Sequence, residues 1–236
     1  MISMIARSVV AVPLLIVRRV PVTLAMIGVV IVLANWTGSI HGGLDSGLRE
    51  RWGYDLENIR HGHIWVLVSS EVLTGYPAHV QNTIWMLAVW LLPYEALMGS
   101  LRALAAYWAS TLFATGAAAL ISLLLIRTIG WDRSPDLVTG ADVGASVGAW
   151  GVAGALSAAL FYRGWVGQVV GLVFPIAGLV YLGQILVERW GISDVAHPIG
   201  LVAGVAVGLW LAHPHLPPAR VSRYQPSEVP SEGATR

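Results

Sequence analysis

Cysteine is absent from the chain, and charged residues are scarce. Without cysteine there is no disulfide, no thiolate nucleophile and no thiolate metal site, so any side-chain nucleophile must be an oxygen. Charged residues make up 11% of the 236 residues, and the net charge is +1. Binding to the phosphates of a nucleic acid needs a clear excess of clustered cations. We therefore expect no nucleic-acid partner.

Apolar residues fill most of the chain instead. They account for 56% of the sequence, and the mean hydropathy is +0.69, a balance typical of a membrane protein. A helix crosses about 30 Å of hydrocarbon with roughly 20 residues. Apolar runs of about that length predict six transmembrane helices near residues 20–37, 77–98, 101–126, 144–162, 165–187 and 196–212. We therefore expect an all-α membrane protein with a single membrane domain.

The flanks of these runs predict the domain boundaries and the orientation. Residues 1–19 contain an apolar run too short to span and three arginines, which predicts an interfacial N-terminal segment. Residues 20–212 form the six-span domain, and the polar, proline-rich residues 213–236 predict a disordered tail. Arginines are concentrated in the N-terminal segment, the second and fourth connections and the tail. The positive-inside rule then predicts that both termini are cytoplasmic.

Three polar residues far apart in sequence fall at one predicted depth. His79, Ser146 and His197 lie in the first turns of the second, fourth and sixth spans, all of which run from outside to inside. Polar side chains inside spans are costly and by default suggest function. A structural interpretation of each residue alone remains open, because a serine can pack helices and a histidine can lie at the membrane surface. Their common depth favours one shared site.

Glycine spacing suggests how two of these residues meet. The sixth span, "AHPIGLVAGVAVG", repeats glycine every four residues, and the fourth span, "GASVGAWGVAGA", carries a similar stripe. Small residues on one face let two helix backbones approach closely. If the two stripes pack together, the Ser146 hydroxyl comes within reach of the His197 imidazole. A hydroxyl beside an imidazole is a nucleophile with its general base.

From about Gly62 to Leu209 the chain resembles the rhomboid intramembrane serine proteases. "AHPIGLVAGVAVG" is similar to the family's sixth span, "GASVGAWG" to its nucleophile motif, and "HIWVLVSSEVLTGYPAHVQN" to its first loop and second span. The resemblance implies a rhomboid-like bundle in which Ser146 is the nucleophile and His197 the base. It also implies that His79 stabilises the oxyanion, and that Gly144 and Trp150 belong to the pocket.

Several residues depart from the family pattern. Val147 replaces the glycine after the nucleophile, and Val66 replaces the arginine of a Trp-Arg pair. The family's asparagine four residues after the histidine is Thr83 here, with Asn82 one residue earlier. Both Asn82 and Thr83 lie within roughly 60° of the His79 face of a helix, so either can donate to an oxyanion. Trp150 stands where the family usually has tyrosine and can stack on the His197 ring.

The function implied by the resemblance is acyl transfer to Ser146 from a peptide bond in another protein's transmembrane helix. The expected partners are such substrate helices and the lipid bilayer of a bacterial cell membrane; no cofactor and no metal are expected. The long loop from Gly38 to Tyr76 is expected to flank the pocket. No third triad member is evident, because an acidic residue such as Asp142 in an outer loop is more often solvated than catalytic.

Two other classes of function stay open from the sequence. The departures at Val66, Val147 and Asn82 are compatible with an inactive rhomboid-like protein that binds or escorts membrane proteins. A small transporter or channel is the third class. It would be expected to show polar groups at the bilayer midplane and two related halves, whereas the polar groups here gather near one end of the spans.

Overall fold

The computed structural model describes residues 18–129, 140–188 and 191–212, which form helices and no strand. Among these residues, five short helices lie in the first half of the chain, and the second half consists of longer helices. In chain order the helices are α1 Pro21–Trp36, α2 Ser46–Trp52, α3 Leu56–Arg60, α4 Val66–Ser69, α5 Pro77–Met86, α6 Leu92–Met98, α7 Ser100–Ile129, α8 Ser146–Phe161, α9 Trp165–Glu188 and α10 Ile192–Ala212. A π-helical turn, Leu87–Leu91, joins α5 to α6.

The all-helical prediction is confirmed, and the six apolar runs coincide with helical segments. The run 77–98 is α5, the π-helical turn and α6 in succession, and the other five runs are α1, α7, α8, α9 and α10. By length and composition, two helices can cross a membrane: Ser100–Thr128 and Ile192–Ala212. The predicted tail, and residues 1–17 of the predicted interfacial segment, lie outside the described residues.

Helix α8 is the centre of the bundle. Every residue from Val147 to Ala159 except Trp150 is buried, and most of them are alanine or glycine. Small side chains allow neighbouring helices to approach from all sides, and α7, α9 and α10 all pack against α8. The position of Ser146 at the start of this helix is therefore constrained by the whole core.

The glycines of α10 face α8 as the sequence predicts. A Cβ atom added to Gly204 would overlap the carbonyl oxygen of Gly151, and one added to Gly208 would lie 2.6 Å from the Cα of Ala155. A Cβ atom on Gly200 would lie 3.0 Å from the carbonyl oxygen of Val147. The two backbones are thus in direct contact along three turns.

The glycines of α8 follow the expectation only in part. Gly148 and Gly151 make room for side chains of α7, because a Cβ atom on them would overlap the ring of Tyr107 and the hydroxyl of Ser110. Gly151 and Gly154 also meet the backbone of α10. The glycines of α8 therefore pack against two helices, α7 and α10. The spacing of the glycines in the sequence does not show which glycine meets which helix.

The segment between α1 and α5 is an ordered cap over one end of the bundle. Tyr54 pairs with Asp142 through two backbone hydrogen bonds of 2.7 and 2.9 Å. The Tyr54 hydroxyl donates to the carbonyl of Thr115 on α7, and Arg49 Nε donates to the carbonyl of Ala141 at 2.8 Å. These bonds tie the segment to the turn that precedes Ser146.

A buried carboxylate organises the opposite end of the bundle. Glu95 on α6 is 1% exposed, and its two oxygens accept from the backbone N–H groups of Val22 and Thr23 at 2.9 and 2.7 Å. The hydroxyls of Thr23 and Ser100 donate to it at 2.7 Å each. The carboxylate therefore supplies the acceptors that the first turn of α1 lacks and links α1, α6 and α7.

The glycine contact predicts a large effect from a small change. Gly204→Ala should lower the free energy of unfolding by about 1–3 kcal/mol, because the new methyl group meets the backbone of α8. Gly28→Ala is the matched control, since nothing lies within 4 Å of a Cβ atom there. Thermal unfolding in detergent checks this, and equal melting temperatures for the two variants would contradict the packing.

Candidate active site

Ser146 is the first residue of α8 and follows a turn that only glycine makes easily. Gly144 has φ +133°, a conformation that side-chain-bearing residues rarely adopt. Its N–H donates to the carbonyl of Ser70 at 2.7 Å, which anchors the turn to the cap segment. The turn therefore presents the Ser146 hydroxyl at the end of the central helix.

The structure brings Ser146 and His197 together. His197 Nε2 lies 2.8 Å from Ser146 Oγ, although the two residues are 51 positions apart. His197 is in the second turn of α10, whose start is fixed by Asp194, because its Oδ2 accepts from the N–H of Gly191 at 2.9 Å. An imidazole nitrogen at this distance from a hydroxyl has the geometry of a general base for a nucleophile.

The other nitrogen of His197, Nδ1, is buried and has no hydrogen-bond partner among the described residues. Asp142, the acidic residue nearest in sequence to the nucleophile, does not occupy that place. Its side chain bonds to Ser193, one turn before the histidine, and burial raises its pKa. Asp142 is half-buried rather than freely solvated, and within the described residues the Ser146–His197 pair has no third member.

His79 lies against the turn that carries Ser146. A Cβ atom on Gly144 would overlap the His79 ring, so the ring occupies the space that the glycine leaves. The N–H of Gly75 points at His79 Nδ1 from 3.4 Å. Because Nδ1 accepts, the hydrogen of the neutral ring lies on Nε2, and it is Nε2 that faces Gly144. This nitrogen is a donor directed toward the nucleophile turn.

Asn82 and Thr83, the two alternative oxyanion donors of the sequence analysis, have different surroundings in the structure. Thr83 is 2% exposed and lies one helical turn after His79. Asn82 is exposed, and its amide donates to the sulfur of Met86 at 3.7 Å. This placement favours Thr83 over Asn82, because the Asn82 side chain is exposed and bonds to Met86 on its own helix. The oxyanion role of either residue stays a prediction.

The side chain of Val147 is turned away from Ser146 into the core. It is 3% exposed and belongs to an apolar cluster with Ala114, Ile192 and Ala196. A β-branched side chain beside Ser146 can crowd a substrate, but this one lies in the core. Trp150, the predicted stacking residue, packs next to Leu201 and 3.4 Å from a Cβ atom built on Gly178 of α9. Its stacking on His197 stays a prediction.

Sequence reasoning missed Glu71, which reads as a turn residue in the loop. The carboxyl is 2% exposed, and its Oε2 accepts from the Tyr107 hydroxyl at 2.9 Å and from the N–H of Gly148 at 3.3 Å. Burial raises its pKa to about 8. No local signal marks such a residue, since both partners lie on helices far along the chain.

The comparison with protein families places the chain in one of them. The family model of the rhomboid domain matches residues 61–214. The match covers about two thirds of the chain and contains His79, Ser146 and His197. No curated protein shows a significant match to the sequence.

The raised pKa of Glu71 predicts a pH dependence of stability. The folded state holds the Glu71 proton more tightly than the unfolded state, so the stabilisation is complete below about pH 4.5 and is lost as the pH rises to about 8. The melting temperature of the wild type should fall across this window. Glu71→Gln, which does not titrate, should show a flatter slope.

The exposed Glu50 on α2 gives the control for this measurement. Glu50→Gln should keep the wild-type slope, because this side chain is exposed and makes the same carboxyl-to-amide change away from the buried Glu71 site. An unchanged slope in Glu71→Gln would show that Glu71 does not contribute.

Proposed function

Because the chain belongs to the rhomboid family, we propose that it is an intramembrane serine protease that cleaves transmembrane helices of other membrane proteins. Ser146 is the proposed nucleophile and His197 the general base. The observation that carries the proposal is the 2.8 Å separation between Ser146 Oγ and His197 Nε2. A hydroxyl becomes a strong nucleophile when an adjacent base accepts its proton.

In the proposed reaction His197 Nε2 removes the proton from Ser146 Oγ as the oxygen attacks a peptide carbonyl. The same imidazole then gives the proton to the leaving amine, and water hydrolyses the acyl-enzyme. Backbone N–H of Ser146, His79 Nε2 and the hydroxyl of Thr83 are the proposed donors to the oxyanion. Removal of one such donor typically costs about 3 kcal/mol.

The proposed membrane arrangement has six spans and both termini in the cytoplasm of a bacterial cell. The six helical segments that coincide with the apolar runs support it, as does the arginine distribution in the sequence. In this arrangement residues 1–19 lie at the interface, residues 20–212 form the membrane domain, and residues 213–236 form a cytoplasmic tail. The nucleophile then lies near the outer surface, where water reaches the acyl-enzyme.

The inactive alternative loses part of its support. Two of its three departures, Val66 and Val147, are buried apolar residues of the core. The third departure leaves a hydroxyl, Thr83, in the position of the family's asparagine. None of these changes separates the nucleophile from its base, so proteolysis is the function that the geometry favours.

Labelling with a fluorophosphonate tests the proposed dyad. The wild type in lipid should react at Ser146, and Ser146→Ala should abolish labelling because the attacked oxygen is lost. His197→Ala should lower the labelling rate by about 10²–10⁴-fold, since the general base is removed. His63→Ala is the matched control, because His63 lies in the cap segment and bonds to Asn58.

The result that would reject the dyad is equal labelling of wild type and His197→Ala. A folded wild type that does not react would instead favour the inactive, helix-binding alternative. Cleavage of a reconstituted transmembrane peptide library by wild type, but not by Ser146→Ala, would extend the result from reactivity to proteolysis.

The separation of Thr83 from Asn82 gives a second test. Thr83→Val removes the hydroxyl at nearly constant volume and should lower the labelling rate by about 10–100-fold, because one oxyanion donor is lost. Asn82→Ala should label as the wild type does, since that side chain is exposed and bonds to Met86. The reverse order of effects would restore Asn82 as the donor.

A further inference from the structure

We propose that Glu71 is a positioning residue that holds the first turn of α8 so that the Ser146 hydroxyl is directed at His197. The inference rests on the proposed function, because the value of a fixed hydroxyl depends on a reaction at Ser146. Glu71 does not contact Ser146 or His197; it acts through the backbone of α8.

The first step of the argument is that residues 70 and 71 hold the chain on both sides of the nucleophile. The carbonyl of Ser70 accepts from the N–H of Gly144, two residues before Ser146, at 2.7 Å. The carboxyl of Glu71 accepts from the N–H of Gly148, two residues after it, at 3.3 Å. Rotation of the first turn of α8 would break one of these bonds.

The second step is that no neighbouring side chain in the sequence caps the N-terminus of α8. The N-cap residue is Ala145, whose side chain offers no acceptor, and no side-chain cap hydrogen bond is present. The first N–H groups of a helix need such acceptors, and a buried helix start without one is unstable. Glu71 provides the missing acceptor from 77 residues away.

The third step is that the surroundings orient the Glu71 carboxyl. The Tyr107 hydroxyl donates to the same oxygen, Oε2, at 2.9 Å, and Tyr107 is fully buried. The Tyr107 ring lies where a Cβ atom of Gly148 would be, so only glycine at this position lets the ring reach the carboxyl. Three elements, the cap segment, α7 and α8, therefore meet at one oxygen atom.

The fourth step concerns which N–H groups remain for the reaction. Ala149 donates to the carbonyl of Ala145 at 3.0 Å, and Gly148 donates to Glu71. Among the described residues, no acceptor is bonded to the N–H of Ser146. Glu71 thus satisfies the helix start and leaves the N–H that the proposed oxyanion requires.

The experiment compares Glu71→Gln, Glu71→Ala and the exposed control Glu50→Ala in the full chain in lipid. The probes are the rate of fluorophosphonate labelling at Ser146, amide hydrogen exchange of the peptide 144–151, and the melting temperature. Glutamine keeps an acceptor for Tyr107 and Gly148, whereas alanine removes it.

If Glu71 positions Ser146, Glu71→Ala labels about tenfold or more slowly than the wild type at a temperature where it is folded, because the helix start loses its acceptor. Exchange in the first turn of α8 also becomes faster. Glu71→Gln and Glu50→Ala keep both rates within about threefold of the wild type. Wild-type labelling and exchange in Glu71→Gln would show that the position needs a hydrogen-bond acceptor and not a negative charge.

Labelling of folded Glu71→Ala at the wild-type rate would overturn the inference, as would equal loss in the alanine and glutamine variants. If Glu71→Ala does not fold, Tyr107→Phe replaces it, since it removes the hydroxyl that orients the carboxyl. Slower labelling and faster exchange in Tyr107→Phe then support the inference, and wild-type values overturn it.

The outcome also distinguishes this inference from the proposed function. A wild type that does not react with the fluorophosphonate would reject the protease, whereas the exchange comparison between Glu71→Ala and Glu71→Gln would still decide whether Glu71 holds the start of α8. Faster exchange in the alanine variant alone supports the holding role, and equal exchange in both variants rejects it.

Discussion

The direct backbone contact between α8 and α10 is the constraint on which the rest of the structure depends. A Cβ atom on Gly204 would overlap the backbone of α8, and one on Gly200 would lie 3.0 Å from the carbonyl oxygen of Val147. Close-packed interiors have few alternative arrangements, so the relative position of the two helices is closely determined. Ser146 and His197 lie at the same end of this contact, and their 2.8 Å separation follows from it.

Buried carboxyl groups perform the same task at both ends of the bundle. Glu95 accepts from the first N–H groups of α1, and Glu71 accepts from an N–H in the first turn of α8. An unpaired N–H in an apolar interior costs about 1–3 kcal/mol, and neither helix begins with a residue whose side chain caps it. Each carboxyl comes from another part of the chain, so capping also joins separate elements. The N-termini of α1 and α8 therefore depend on residues that only the tertiary structure brings to them.

The sequence was sufficient to predict the features that repeat along it. Runs of apolar residues predicted the helical segments, and the four-residue spacing of Gly200, Gly204 and Gly208 predicted the face of α10 that meets α8. The rhomboid resemblance is confirmed by the family match over residues 61–214. The helices and the packing face of α10 can be predicted because a helix face that is buried at regular intervals needs apolar or small residues at the same intervals in the sequence.

The features that the sequence did not predict depend on contacts between distant residues. The direction of Asn82 follows from helix rotation, which its spacing from His79 left open within roughly 60°. The partners of Glu71 are 36 and 77 residues away, and nothing local distinguishes this glutamate from the exposed Glu50 and Glu57. Val147 is a β-branched residue beside Ser146, yet only the packing of α7 and α10 shows that its side chain enters the core.

The absence of a third residue beside His197, within the described chain, changes where its orientation must come from. In a triad an acidic residue holds the imidazole through its second nitrogen, whereas here Nδ1 is buried without a partner and Asp142 bonds to Ser193. The position of the ring then depends on the backbone of α10, which the glycine contact with α8 keeps in place. A change on the glycine face would therefore disturb the Ser146–His197 geometry without touching either side chain, because the packing of α8 on α10 sets the distance between them.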